Sequence, residues 1–280
     1  MSLSNKALLA NLTVSQWTGR KLDKQATNTV ATTHQTKGRA GNYTKKLLPE
    51  SKELEAISTR CNALRTFFYD QTLPWYSDGS RILSSKNYLD FTNEFKKLKA
   101  DFDHAVDLFL VEYPALQARA ANQLGNLFNN ADYPSVTGLR TLFSCNISLM
   151  PIPAIEDFRV EILDSEKQTF ITRMRDIESA AMKDCWNRLY SVVSKATQRL
   201  SDPDAIFKNT LIENITDICA LLPKLNVTDD ATLESMRTAV ESAVSKLQPD
   251  TLRDNMHARK NAVNELDQIT SKMSAIMGAF

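Results

Sequence analysis

The chain has 280 residues, 42% hydrophobic and 24% charged, with only 7 Gly and 9 Pro, a balance that suits a folded helical protein and leaves little material for a turn-rich β architecture. No run approaches the ~18 consecutive apolar residues of a membrane-spanning helix, and the opening MSLSNKALLANLTVSQW lacks the apolar core and cleavage site of a secretory signal, so a cytoplasmic protein with no constitutive membrane span is expected. The net charge of +1 hides an asymmetry: residues 1–48 hold eight Lys or Arg against the single acid Asp23, which leaves 26 of the 34 basic and 32 of the 33 acidic residues to 49–280.

In chain order, a short helix is predicted over Leu3–Leu12. Residues 17–48 then mix Lys, Arg, Thr, Asn and Gly with few large apolar side chains, which reads as an extended basic arm. After Pro49, the residues Leu54, Ile57, Cys61, Leu64 and Phe68 recur at helical spacing. The segment TLPWYSDGSRIL (72–83) reads as a loop, and Phe91, Phe95, Leu98, Phe102, Ala105, Phe109 and Leu116 then form an aromatic seam on a long helix that Pro114 should kink or interrupt. NISLM (146–150) and FRVEI (158–162) are β-prone and flank two prolines, which predicts a small hairpin.

From Ser165 to Leu200, Phe170, Met174, Ile177, Ala181, Cys185, Leu189 and Leu200 mark a second long helix, expected to run against the one over 86–121. Ser201-Asp202-Pro203 should start the next helix and Pro223 should stop it. NVTDD (226–230) offers caps for a further helix, and Pro249 opens a last one that ends at Gly278. The expected fold is all-α: an elongated multi-helix bundle with long antiparallel helices and a small β-hairpin at one tip. The expected division is a basic N-terminal arm over 1–48 and a helical bundle domain over 49–280, with the hairpin near 146–162.

Catalytic signatures are missing. No phosphate-binding loop, dinucleotide fingerprint or nucleophile elbow occurs. Cys61, Cys145, Cys185 and Cys219 never form a C-x-x-C pair, and free Cys is most often a buried apolar residue. The densest titratable cluster, Asp101, Asp103, His104 and Asp107, lacks the further ligands a metal would need and reads as a solvated helix face. No catalytic residue, metal or cofactor is therefore assigned, and a non-enzymatic protein is expected.

Three features point to binding. Arg20, Lys21, Lys24, Lys37, Arg39, Lys45 and Lys46, interleaved with Trp17 and Tyr43, supply the phosphate contacts and stacking surfaces of a nucleic-acid-binding arm; the alternative is that the arm packs on the acidic body. Trp75 and Tyr76, in a loop, suit a protein partner or, equally, a cap over the core. The uncharged run 141–155, with Met150, Ile152 and Ile155, reads by default as a hairpin packed on the bundle, and suits a docking tongue or, alternatively, the membrane-inserting segment of a helical pore former.

The strings WTGRKLDK (17–24), AGNYTKKLLP (40–49), TLPWYSDGSRIL (72–83), MPIPAIEDFRVEI (150–162) and LNVTDD (225–230) resemble those of an uncharacterised, domain-of-unknown-function family of tailed bacteriophages and prophages. The resemblance implies a bacterial host cytoplasm and carries no catalytic motif. Members of that family are often encoded near MoxR-like AAA+ ATPases and von Willebrand A proteins, which implies an adaptor or substrate of a remodelling machine. Together these readings favour a self-associating helical interaction protein, a homo-oligomer with a protein partner such as a phage AAA+ ATPase. Nucleic-acid binding in replication or recombination is the alternative.

Overall fold

The first departure from an all-α fold comes within fifteen residues of the start. The computed structural model describes residues 3–38, 40–76, 79–154 and 163–278, and in it Ala7–Ser15 is a strand, β1, where a short helix was expected. The remaining elements follow as β2 (Arg20–Leu22), α1 (Lys24–Thr33), β3 (Thr44–Lys46), α2 (Lys52–Asp70), β4 (Leu73–Pro74), β5 (Ser80–Ser84), α3 (Tyr88–Leu124), α4 (Val136–Arg140), β6 (Ser144–Pro151), α5 (Asp164–Ser201), α6 (Thr210–Leu225), α7 (Ala231–Val244), α8 (Pro249–Asp254) and α9 (Met256–Met277). Helix accounts for 68% of the structure, yet a four-stranded antiparallel sheet and a separate two-stranded ribbon make it a mixed α/β fold.

The chain divides into two compact units, one of Met1–Asn11, Tyr69–Phe91 and Ser148–Phe280, the other of Leu12–Phe68 and Thr92–Ile147. The division does not fall at residue 48, because the strand inside the supposed arm belongs partly to the first unit.

In the first unit the sheet order is β4-β5-β1-β6. Ile82 of β5 stands opposite Leu9 of β1 on one side and Leu73 of β4 on the other, and all three are buried. This cross-strand row, rather than any local signal, holds β1 as a strand. The segment expected to be a loop is thus half of the sheet, with Gly79 at φ +92 supplying the turn conformation that L side chains resist. Of the hairpin expected near 146–162, the first strand is present as β6 at the side of β1; the second, 158–162, lies outside the described residues.

The core of this unit gathers Ile177, Ala181, Cys185, Trp186, Leu189, Val193 and Ala196 of α5 with Ile215, Cys219 and Leu222 of α6, Val240 of α7 and Leu266 and Met273 of α9. Helix α5 packs most extensively along α9 and then α6, so its seam is filled from the C-terminal helices. Pro223 does not stop α6, which runs to Leu225; so near the end a missing N–H removes only one bond of the last turn. Pro203 starts no helix either. Residues 202–209 are a loop, drawn in by the buried Arg259, whose guanidinium donates to the carbonyls of Arg199, Leu200, Asp202, Pro203 and Ala205. The last predicted helix is broken at Asn255, whose Oδ1 accepts from the N–H groups of His257 and Ala258 and caps α9.

In the second unit most of the expected stripes are buried, Ile57, Cys61, Leu64 and Phe68 on α2 and Phe95, Phe102, Phe109 and Leu116 on α3, while Leu54, Leu98 and Ala105 are only half-buried. Helix α3 continues through Pro114, which faces solvent. Phe109 meets Trp17, Tyr113 and Phe143 with ring centroids 6.2, 5.7 and 5.7 Å apart, an edge-and-tilt cluster of the kind aromatic quadrupoles favour.

Candidate functional site

The supposed arm is a folded excursion. Chain leaves the core at Gly19, forms β2, crosses α1 and a loop, and returns in β3. Gly19 sits at φ +62, a backbone conformation that L side chains rarely adopt, so conformation favours glycine at the root, while an added Cβ would meet only the movable end of the Leu54 side chain. Its carbonyl accepts from Leu47 N–H at 2.6 Å and closes the base of the ribbon. Asp23 caps α1 by accepting from Ala26 N–H at 2.9 Å, which contributes on the order of 1 kcal/mol to the helix.

Register places like charges opposite each other twice: Arg20 faces Lys46, and Lys21 faces Lys45. Directly opposed like charges destabilise an antiparallel pair, and the two rows meet this differently. On the Lys21/Lys45 side, Asp132 offers one carboxylate oxygen to each lysine at 2.8 Å. Lys45 is buried and its ammonium also reaches Asp23 at 2.9 Å and the Leu127 carbonyl at 2.7 Å, so its three donors are all satisfied. Burial would lower the Lys45 pKa, but Asp132 and Asp23 outweigh it and hold it above the ordinary lysine value. Lys21 and then Lys45 hold the Asp132 carboxyl below the ordinary range.

The Arg20/Lys46 side has no such remedy. Both side chains are exposed, and among the described residues neither has a carboxylate partner. Lys24 and Lys37 are exposed and likewise unpaired among the described residues. Helix α1 buries none of its residues, so this corner of the molecule presents its surface to solvent.

Between α1 and residues 36–38 and 40–43 lies a cleft of about 780 Å³, lined by Leu22, Asn28, Val30, His34, Asn42 and Tyr43 among others. Two hydrogen bonds of the Tyr43 backbone hold its walls together: Tyr43 N–H donates to the Thr27 side-chain Oγ1 at 2.9 Å, and Asp23 N–H donates to the Tyr43 carbonyl at 2.9 Å. The Leu22, Val30 and Tyr43 side chains are exposed at 39, 51 and 40%, an apolar lining left open.

The other residues singled out by sequence are scattered. Trp17 is half-buried against Phe109 and Tyr113 and Arg39 lies outside the described residues. Trp75 packs on the core of the first unit, and Ile152 is inside that core; Tyr76 is exposed beneath the Arg173 guanidinium, 4.8 Å from its ring centroid. Met150 is exposed and Ile155 lies outside the described residues. The acidic cluster on α3 disperses into separate ion pairs, Asp101 with Arg60, Asp103 with Lys99 and Asp107 with Arg140.

A second groove, of about 710 Å³, lies in the first unit beside Asp70, Asn187, Ser191, Asn214 and Asp217. Burial pushes the Asp70 carboxyl up, against Arg188 and Arg81. The neighbouring Arg188 spends its donors on Asp184 and on the Tyr69, Asp70 and Thr72 carbonyls at the end of α2, so it is committed to structure rather than to an anion in the groove. Compared with known protein families, curated proteins and solved structures, the chain matches none of them.

Proposed function

We propose that this is a non-enzymatic nucleic-acid-binding protein that grips the sugar–phosphate backbone with the outer face of the β2–β3 ribbon. The observation that carries the reading is the contrast between the two rows: the Lys21/Lys45 pair is neutralised by Asp132, while the Arg20/Lys46 pair opposes like charges with no carboxylate supplied among the described residues. A phosphate between Arg20 and Lys46 would relieve that repulsion as Asp132 does on the other face, and Lys24 and Lys37 extend the cationic surface. Phosphate contacts of this kind dominate affinity and make it salt-dependent. Fluorescence-anisotropy titration of labelled DNA with wild-type protein and with the Arg20→Glu, Lys46→Glu double variant tests it. Binding that falls with salt and disappears in the variant supports the reading, and equal binding by the two proteins refutes it.

A second reading, self-association as an interaction or adaptor protein, is favoured by one observation. Leu108, Val111, Ala115 and Ala118 follow one another at helical spacing along the solvent side of α3, with Leu108 and Val111 exposed at 54 and 76%. That apolar stripe is the reverse of the buried aromatic seam and would pack against a second copy of the same helix. Sedimentation velocity should then show a dimer that Val111→Glu converts to monomer; a monomer at every concentration tested would exclude this reading.

A further inference from the structure

We infer that the cleft between α1 and residues 36–38 and 40–43 seats an unstacked nucleobase, so that the favoured ligand is single-stranded rather than duplex nucleic acid; this rests on the phosphate-gripping reading of the ribbon. The cleft has what single-strand recognition needs in one place: an aromatic ring, an apolar lining and polar groups suited to base edges. Tyr43 immediately precedes β3, so its ring adjoins the strand that carries Lys46. Leu22 and Val30 leave apolar surface open beside it, and Asn28 and His34 bring side-chain donors and acceptors to the same walls.

Charge complementarity decides the occupant. Lys24 lines the cleft, Lys37 lies between the lining residues Thr36 and Gly38, and Leu22 shares its ribbon face with Arg20. Arg20, Lys24, Lys37 and Lys46 are all without carboxylate partners among the described residues. An apolar recess amid unpaired cations suits a ligand that joins flat apolar groups to a string of phosphates. In a duplex the bases are stacked inside and cannot enter, whereas a single strand can turn one outward. Trp17, the other aromatic of the segment, is held among Phe109 and Tyr113, which leaves stacking to Tyr43.

The test uses full-length protein, labelled oligothymidylate and a duplex of equal length, with the variants Tyr43→Ala, which removes the ring, and Val30→Trp, which fills the cleft from the exposed face of α1. The Tyr43 position is anchored through its backbone N–H and carbonyl and Val30 is 51% exposed on a helix with no buried residue, so both changes should leave the module folded, which circular dichroism checks. Each variant should weaken single-strand binding roughly 5- to 150-fold, the range for losing one base–aromatic stack, and leave duplex binding unchanged. Single-strand affinity within twofold of wild type in both variants would overturn the cleft assignment, as would equal wild-type affinity for the two DNA forms. The ribbon reading is separable: it stands if Arg20→Glu with Lys46→Glu still abolishes binding, and both readings fail if wild-type protein binds neither DNA.

Discussion

Arg259 is the most demanding element of the first unit to replace. Its side chain is buried, 4% exposed, and among the described residues no carboxylate pairs with it; its charge is offset by carbonyl oxygens at the C-terminal end of α5 and in the loop that follows. A helix C-terminus carries partial negative charge, so a guanidinium is well placed there, and Phe207 lies 5.3 Å from it as an aromatic face. Arg259→Met keeps the stem's apolar volume and removes the donors. The Leu200 and Asp202 carbonyls, at 2.7 and 2.5 Å, make the shortest bonds, and Arg199 follows at 3.2 Å. Leaving the buried Leu200 acceptor and the two part-buried ones without the guanidinium costs about 1 kcal/mol each, so the expected destabilisation is about 3 kcal/mol. In thermal unfolding that corresponds to a fall in Tm of roughly 6–12 °C for a unit of this size. Trp186, fully buried in the same core, contributes an emission signal that reports its loss. Arg259→Lys should recover part of the difference, since it keeps the charge but cannot reproduce the fork. A Tm within about 2 °C of wild type for Arg259→Met would refute the reasoning, showing that water or a rearranged loop satisfies the α5 terminus.

Three further outcomes follow from the same geometry. Asp132→Asn should loosen the β2–β3 ribbon by about 2 kcal/mol, below the ~3–5 kcal/mol of a fully broken buried pair because Asp23 still faces Lys45; faster amide exchange at Leu47 would register it, and unchanged exchange would count against it. The Asp229 carboxyl, hydrogen-bonded by Lys6 and Lys86 at 2.6 Å each, is held down to about 2. A depressed carboxylate stabilises the fold above its unfolded pKa and loses that contribution as pH falls through the folded value. Its window is therefore roughly pH 4 to 2, and NMR titration of Lys6→Met with Lys86→Met should show the midpoint returning toward the ordinary range. Finally, burial pushes the Cys185 thiol up to about 12 and those of Cys145 and Cys219 to about 11, with Cys61 also raised by burial. All four are buried and unbridged, so a thiol reagent at neutral pH should label none in the native protein and all four after denaturation; rapid native labelling would contradict their placement.

The long helices were legible because their signal is local. Ile57, Cys61, Leu64 and Phe68 sit at helical spacing on one face, and that face is buried. The sheet was not legible, because it depends on partners distant in sequence: Leu9 becomes a strand residue only when Ile82 lies beside it and Leu73 beyond. Without that pairing, ALLANLTV reads as readily as a weak helix, and the proline and glycine of 72–83 read as loop punctuation rather than as part of two strands of a sheet. Proline also misled. Pro114 lies within α3 and Pro223 within α6, each where a solvent-facing side or a last turn tolerates the missing donor.

The candidate site was half legible. The excess of Lys and Arg before residue 48 was visible in the sequence, but its sorting was not, since that sorting depends on Asp132, over eighty residues from Lys45, taking up Lys21 and Lys45. Composition counts seven cations from Arg20 to Lys46 as equivalent. Register separates Arg20 and Lys46 from Lys21 and Lys45, and the alternation of a three-residue strand is too short to reveal this before its partner is known.

The most direct measurement is the salt dependence of single-strand binding by wild type and by the Arg20→Gln, Lys46→Gln double variant. The plot of log affinity against log salt should be shallower for the variant by about 1.4, two phosphate contacts at roughly 0.7 each, with weaker binding throughout. Identical slopes for the two proteins, or no binding by wild type at low salt, would contradict the assignment of the Arg20/Lys46 face to nucleic acid.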